Sequence, residues 1–94
     1  GEIAVCGHTD DINVTNELFY NNWDLSSKRA VAVATEMIAA PNFDKNRIIV
    51  MGHADTRPLV PNNSAANRRK NRRVEIAITQ GKAKESEAID VSNM

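Results

Sequence analysis

The sequence predicts a small α+β domain in which helices pack on one side of a mixed β-sheet. Its 94 residues are 41% apolar and 26% charged, a composition typical of one globular domain. Apolar residues recur with strand-like and helical periods in the order strand, helix, strand, short helix, strand. The first two strands, joined by a helix, should form a right-handed parallel crossover.

The first strand and the long helix are separated by a polar stretch. Residues Glu2–Cys6 alternate as a strand that ends at Gly7, and residues 8–22 then form a loop with one apolar island. A helix is predicted over Asp24–Ala40, with Asn22 or Asp24 as its N-cap and Pro41 ending it. The residues predicted to share its apolar arc are Ala30, Val31, Val33, Ala34, Met37 and Ile38. Arg29 falls at the border of this arc, so its guanidinium can emerge at the rim of the core.

The second half of the chain repeats the alternation of strand and helix. Residues Ile48–Met51 are an unbroken apolar run, which predicts a strand covered on both faces. After a loop with two prolines, Ser64 is expected to cap a short helix that runs to Lys70. Residues Val74–Thr79 alternate as a strand with one solvated face. We therefore predict a domain over residues 1–80 and a polar C-terminal tail over residues 81–94.

Two strands end in similar tetrapeptides, Gly7-His8-Thr9-Asp10 and Gly52-His53-Ala54-Asp55. If the strands are parallel neighbours, both tetrapeptides lie at one edge of the sheet, where open α/β sheets bind ligands. A carboxylate at Asp10 and the guanidinium of Arg29 could there hold the ammonium and the carboxylate of an amino-acid head group. Their spacing alone equally permits an internal ion pair between Asp10 and Arg29 that orders the loop.

Other functional classes find less support in the sequence. The side chains of His8, Asp10, His53 and Asp55 could bind a metal ion, but supporting their own turns is the more ordinary role. The basic run Arg68–Arg73 has no interleaved aromatic residue, and the net charge is zero, which disfavours nucleic-acid binding. No catalytic pattern is present, so we predict no enzyme, metal or cofactor. The island Leu18-Phe19-Tyr20 with Trp23 either contacts a partner such as a sugar or pins the loop to the core.

Three motifs in order resemble the OmpA-like peptidoglycan-binding domain. They are Gly7-His8-Thr9-Asp10, Leu25-Ser26-Ser27-Lys28-Arg29-Ala30 and Asn71-Arg72-Arg73-Val74-Glu75-Ile76. The stretch Asn22-Trp23-Asp24-Leu25-Ser26 and the added Asp11 look most like the flagellar stator B subunits, MotB and PomB. The resemblance spans Ile3 to Ile78, and it implies an OmpA-like fold from which the family's first strand and helix are absent here. Without them, one edge and one apolar face of the sheet should be exposed, and we expect the sequence to be a fragment.

The resemblance also implies which residues bind the ligand. The family holds the diaminopimelate of the peptidoglycan stem peptide, with its amino group on Asp10 and its carboxylate on Arg29. Thr9 and Leu25 belong to the same ligand-lining motifs, and Asn71 and Arg73 belong to the last motif, which borders the groove. The implied function is non-covalent anchoring of a flagellar stator to the cell wall. The alternative is a general envelope anchor of the OmpA or Pal type with no role in a motor.

The implied setting is the periplasmic domain of a bacterial inner-membrane protein. Its partners would be peptidoglycan, a stator A subunit reached through the missing transmembrane part, a second copy in a homodimer, and periplasmic motor-ring proteins. Nucleic acid is not among them. Neither the coupling ion nor the way in which wall binding is switched on can be read from these residues.

Overall fold

A computed structural model describes residues 1–80 and 83–90, with the backbone alone for residues 79, 80 and 83–90. The elements of this part of the chain are β1 (Ile3–His8), α1 (Asn22–Ile38), a 3-10 turn (Lys45–Arg47), β2 (Ile48–Gly52), α2 (Ala65–Asn71), β3 (Arg73–Gln80) and β4 (Ala83–Asp90). The described strands form one four-stranded sheet in the order β2-β1-β3-β4. The pair β1 and β2 is parallel, and the pairs β1 with β3 and β3 with β4 are antiparallel. The predicted α+β class with a mixed sheet is confirmed.

The core lies between α1 and the central strands. Its buried members are Val5, Ala30, Val33, Ala34 and Val74, and Met37, Ile48 and Ile76 pack against them. The buried face of α1 is narrower than predicted, because Val31 and Ile38 of the predicted apolar arc are exposed. The buried stripe contains the small residues Ala30 and Ala34, which let the helix lie close to the sheet. The side chains of Val31 and Ile38, at the sides of the predicted arc, are not covered by the sheet.

Helix α1 begins two residues earlier than predicted, and its N-cap is Asn21 rather than Asn22 or Asp24. The side chain of Asn21 accepts a hydrogen bond of 2.9 Å from the backbone N–H of Asp24. Asn22 is buried and serves the preceding loop instead, because its side-chain oxygen accepts from Val14 N and its nitrogen donates to Ile12 O. The prediction failed here because Asn21, Asn22 and Asp24 can each cap a helix, and only the fold selects one of them.

Strand β2 lies at one edge of the described sheet, and the prediction that both of its faces are covered is wrong. Ile49, Val50 and Met51 are each more than one third exposed. Helix α1 packs against β2 on one side, and β1 pairs with one of its two edges. An unbroken apolar run does not distinguish a central strand from an edge strand, since position in the sheet is decided by the other strands.

The stretch predicted to be a polar tail carries a strand over Ala83–Asp90, which its sequence did not indicate. The antiparallel register pairs Arg73 with Asp90 and Gln80 with Ala83. Four of the eight residues in this segment are charged, which hides a strand from apolar periodicity. Backbone pairing with β3 needs no apolar side chain. Residues 81, 82 and 91–94 of the predicted tail lie outside the described residues.

Candidate binding site at the strand ends

The two Gly-His-x-Asp segments meet at one edge of the sheet, as predicted. Gly7 is in register with Gly52, and the backbone N–H of His53 donates to Gly7 O at 2.9 Å. The rings of His8 and His53 stack with centroids 5.0 Å apart. Thr9 continues the contact, because its N–H donates to Ala54 O at 2.8 Å.

Helix α1 rests directly on these strand ends. A side chain at Gly7 would collide with the backbone oxygen of Ser26, because an ideal Cβ built there lies 1.9 Å from that atom. Ser26 is fully buried, and its hydroxyl accepts from Ala54 N at 3.0 Å and donates to Trp23 O. Glycine at the strand end therefore brings the first turns of α1 beside the loop that carries Asp10.

Asp10 is buried and pairs with a residue that the sequence analysis did not select. Its Oδ2 lies 2.6 Å from Nη1 of Arg72, and its Oδ1 accepts from the backbone N–H of Ile12 at 3.0 Å. The adjacent Asp11 pairs with Arg68 at 2.9 Å, one turn earlier on α2. Two consecutive aspartates thus bind two arginines spaced by four residues, the spacing of helical neighbours. The basic run also holds Arg69 and Arg73 at this spacing, so the sequence alone does not single out Arg68 and Arg72.

Arg29 reaches the same region without pairing to Asp10. Its Nη1 is buried and has no hydrogen-bond partner in the described part of the chain. Burial lowers the pKa of Arg29, the positive charge of Arg72 lowers it further, and the negative charge of Asp10 raises it. The side chain remains a cation, since an arginine does not lose its proton in proteins. A buried guanidinium N–H without an acceptor is costly and matches an incoming carboxylate.

The remaining predicted site residues have internal roles. Thr9 is buried and donates its hydroxyl to Asp10 O at 2.9 Å, and Leu25 is buried beneath the loop. The side chain of Asn71 is fully buried and makes four hydrogen bonds that shape the loop after β2, to Leu59 N, Val60 N, Val60 O and Asn62 Oδ1. Arg73 is also buried, and it donates to Asn71 O and to Arg57 O.

The two histidines lie at the strand ends as a stacked pair. Among the described residues no group of three or more His, Cys, Asp or Glu side chains is arranged to hold a metal ion. His8 is buried, and burial lowers its pKa to about 4, helped by the positive charge of Arg73 and opposed by Glu75. Its Nε2 lies 3.1 Å from Glu75 Oε2 but lacks hydrogen-bond geometry. A neutral, stacked histidine therefore packs under the site.

The loop before α1 presents its apolar island to the surface. Leu18 is 72% exposed and Tyr20 is 78% exposed, and Trp23 is also exposed. Of the two roles considered for these residues, pinning the loop to the core is wrong for these three. Polar contacts hold the loop instead: Tyr20 N donates to Asp24 Oδ2 at 2.9 Å, and Lys28 Nζ donates to Leu18 O at 3.0 Å.

Comparison with known proteins identifies the family to which this chain belongs. The model of the OmpA family matches residues 1–72. The chain belongs to the OmpA family. It is similar to Motility protein B of Bacillus subtilis, with 38% identity over 76 residues that make up 81% of the chain and 29% of that protein. Domains of this family are not enzymes.

Solved structures agree with the fold of this OmpA-family domain. The C-terminal domain of Helicobacter pylori MotB matches with a TM-score of 0.74 and 32% identity, covering 97% of the chain and 64% of that structure. The cell wall anchor of the T6SS from Pseudomonas aeruginosa matches with a TM-score of 0.71 and 39% identity, covering 81% and 52%. The chain spans about a third of the length of the curated relatives it matches. Within the described residues, no helix has the length and apolar character needed to cross a membrane.

Proposed function

We propose that this OmpA-family domain binds peptidoglycan non-covalently through the diaminopimelate of the stem peptide. The observation that carries the proposal is the buried Nη1 of Arg29, which has no acceptor in the described chain and lies within electrostatic range of Asp10 and Arg72. These three groups sum to one positive charge, which favours an anionic group of a ligand. A ligand carboxylate supplies the missing acceptor for Arg29.

The ligand's ammonium binds Asp10 in this proposal. A carboxylate offers about four lone-pair positions, and the contacts with Ile12 N and Arg72 use two of them. Asp10 can therefore accept from an ammonium while Arg72 keeps it in place. Thr9 and Leu25 form the floor under this head group. Asn71 and Arg73 border the site by fixing the loop after β2 and the start of β3.

Sedimentation with purified sacculi tests the clamp. Arg29→Ala and Asp10→Asn should each weaken binding by about 2–4 kcal/mol, because each leaves one charge of the bound head group without its partner. Asp11→Asn is the matched control, since it removes a neighbouring, exposed ion pair with Arg68 and should bind as wild type. Circular dichroism checks that each variant folds. Wild-type sedimentation of folded Arg29→Ala and Asp10→Asn would refute the clamp.

We further propose that the protein containing this domain anchors a flagellar stator to the cell wall. Its similarity to Motility protein B of both Bacillus subtilis and Helicobacter pylori supports this role. The domain would then lie in the periplasm, as part of an inner-membrane protein. That protein would form a homodimer, bind a stator A subunit through its transmembrane part, and contact periplasmic motor-ring proteins. The T6SS wall anchor is a relative of similar identity, which keeps a general envelope anchor as the alternative.

Deletion of the full-length gene separates these two roles. Loss of a stator protein should leave cells with assembled flagella that do not rotate. Loss of a general anchor should leave swimming intact and weaken the envelope, measured as leakage of periplasmic protein. Normal swimming in the deletion strain would therefore exclude the stator role while leaving wall binding in place.

A further inference from the structure

An open groove lies beside Arg29, between the loop before α1 and the helix itself. It has a volume of about 360 Å³ and is lined by Leu18, Phe19, Lys28, Arg29 and Ala32. Its walls are predominantly apolar, and its size is near the lower end of the roughly 300–1,000 Å³ range of small-molecule sites. Because Arg29 belongs to both the groove and the strand-end site, a ligand that occupies one can continue into the other.

The loop wall of this groove is held in place by polar contacts. Asn16 Oδ1 accepts from the backbone N–H groups of Leu18 and Phe19 at 2.8 and 2.9 Å. Lys28 Nζ donates to Leu18 O, and the same ammonium lies 5.6 Å from the centroid of the Phe19 ring. The apolar side chains therefore face the groove and solvent while the backbone is satisfied, which preserves the shape of the groove when it is empty.

The charges of the groove suit an anion. Two of its five lining residues are cations, and none of the five is acidic. The ammonium of Lys28 has three N–H donors, of which Leu18 O and Asp24 Oδ2 accept two. No further acceptor for Lys28 occurs among the described side chains, so one donor is available to a ligand.

Resting on the proposed function, we propose that this groove binds the residue that precedes diaminopimelate in the stem peptide, a γ-linked D-glutamyl residue with a free α-carboxylate. Lys28 binds that carboxylate while Arg29 binds the carboxylate of diaminopimelate. Both cations line the groove, and the two carboxylates belong to consecutive residues of the ligand. The methylene groups of the glutamyl residue then pack against Leu18, Phe19 and Ala32.

Two soluble stem tripeptides that end in diaminopimelate test this inference, one with the glutamyl α-carboxylate free and one with it amidated. Calorimetry on the full chain should find the free acid bound roughly fivefold more tightly, the size expected of a half-exposed ion pair. Lys28→Gln should abolish this preference and keep the affinity for the amide. Ala32→Glu should also abolish it, because the new carboxylate lies one turn from Lys28, competes for its ammonium and repels the ligand. Ala32→Gln adds a side chain of the same size at the same position without the charge and should keep the preference.

Each outcome bears on the inference. An equal affinity of the wild type for both peptides would overturn it, as would a preserved preference in Lys28→Gln and Ala32→Glu. Equal weakening of both peptides by Lys28→Gln would also overturn it, since Lys28 would then act only by supporting the loop. In all these cases peptide binding survives, and the proposed function stands. If the wild type binds neither peptide nor sacculi, the proposed function itself fails.

Discussion

Replacing Gly7 by alanine should severely destabilise the domain, because this glycine sets the contact between β1 and α1. The added Cβ would lie 1.9 Å from the backbone oxygen of Ser26 and 2.8 Å from its carbonyl carbon. Both atoms belong to the main chain of a packed helix, so neither can rotate away. The helix or the strand has to move by about an ångström, which disrupts the core formed by Val5, Ala30 and Val74.

The magnitude follows from overpacking. Forcing one extra methyl into a well-packed core costs about 1–3 kcal/mol, and the upper end applies where the obstacle is backbone. At roughly 0.05–0.15 kcal/mol per residue, a domain of this length has about 5–14 kcal/mol of stability. A loss of about 3 kcal/mol should lower Tm by roughly 12–24 °C.

Gly52→Ala is the matched comparison for Gly7→Ala. Its added Cβ would lie 2.1 Å from Ser27 Oγ, a side-chain atom that can rotate away, and its contacts with Ser26 Oγ at 2.8 Å and with the backbone nitrogen of Ser27 at 2.9 Å need smaller shifts than the contact at Gly7. We expect a loss of about 1–2 kcal/mol, smaller than for Gly7→Ala. Urea unfolding followed by circular dichroism measures both. A cost of Gly7→Ala within about 0.5 kcal/mol of zero, or below that of Gly52→Ala, would refute the reasoning.

Three further predictions follow from side chains with defined contacts. Asn21→Ala removes the N-cap of α1 and should cost about 1 kcal/mol in urea unfolding. Asn71→Ala removes four buried hydrogen bonds and should cost about 2–4 kcal/mol and speed proteolysis of the loop at residues 58–63. Because the folded pKa of His8 is about 4 and its ordinary value is 6.5, the unfolded chain binds the proton more tightly, and stability should rise from pH 4 to 6.5. The rise should be on the order of 2–3 kcal/mol, and His8→Gln should remove that part of the pH dependence; an unchanged pH profile in His8→Gln would contradict it.

Local patterns predicted the elements that apolar residues define. Alternation located β1 and β3, the helical period located α1, and Ser64 correctly marked the start of α2. The strand β4 could not be found this way, since it joins the sheet through backbone hydrogen bonds and half of its residues are charged. The exposure of β2 escaped prediction for a similar reason, because the order of strands in a sheet is a property of the whole chain.

The site shows the same division. The repeated Gly-His-x-Asp segments placed Asp10 at the sheet edge, and the helical period placed Arg29 at the rim of the core. The partner of Asp10 is Arg72, 62 residues away, and an ion pair across that separation leaves no periodicity that singles it out. That Nη1 of Arg29 finds no acceptor among the described residues likewise depends on how α1 and α2 approach the strand ends.

The sequence by itself determined the α+β class, the family motifs and the residue types that meet at the edge of the sheet, because these depend on short-range periodicity and on the chemistry of single side chains. Only the tertiary structure decided which arginine neutralises Asp10, which one keeps a buried N–H without an acceptor among the described residues, and that a groove with a second cation adjoins it. Those choices arise from contacts between segments far apart in the chain, where packing and electrostatics select among partners that the sequence leaves equivalent.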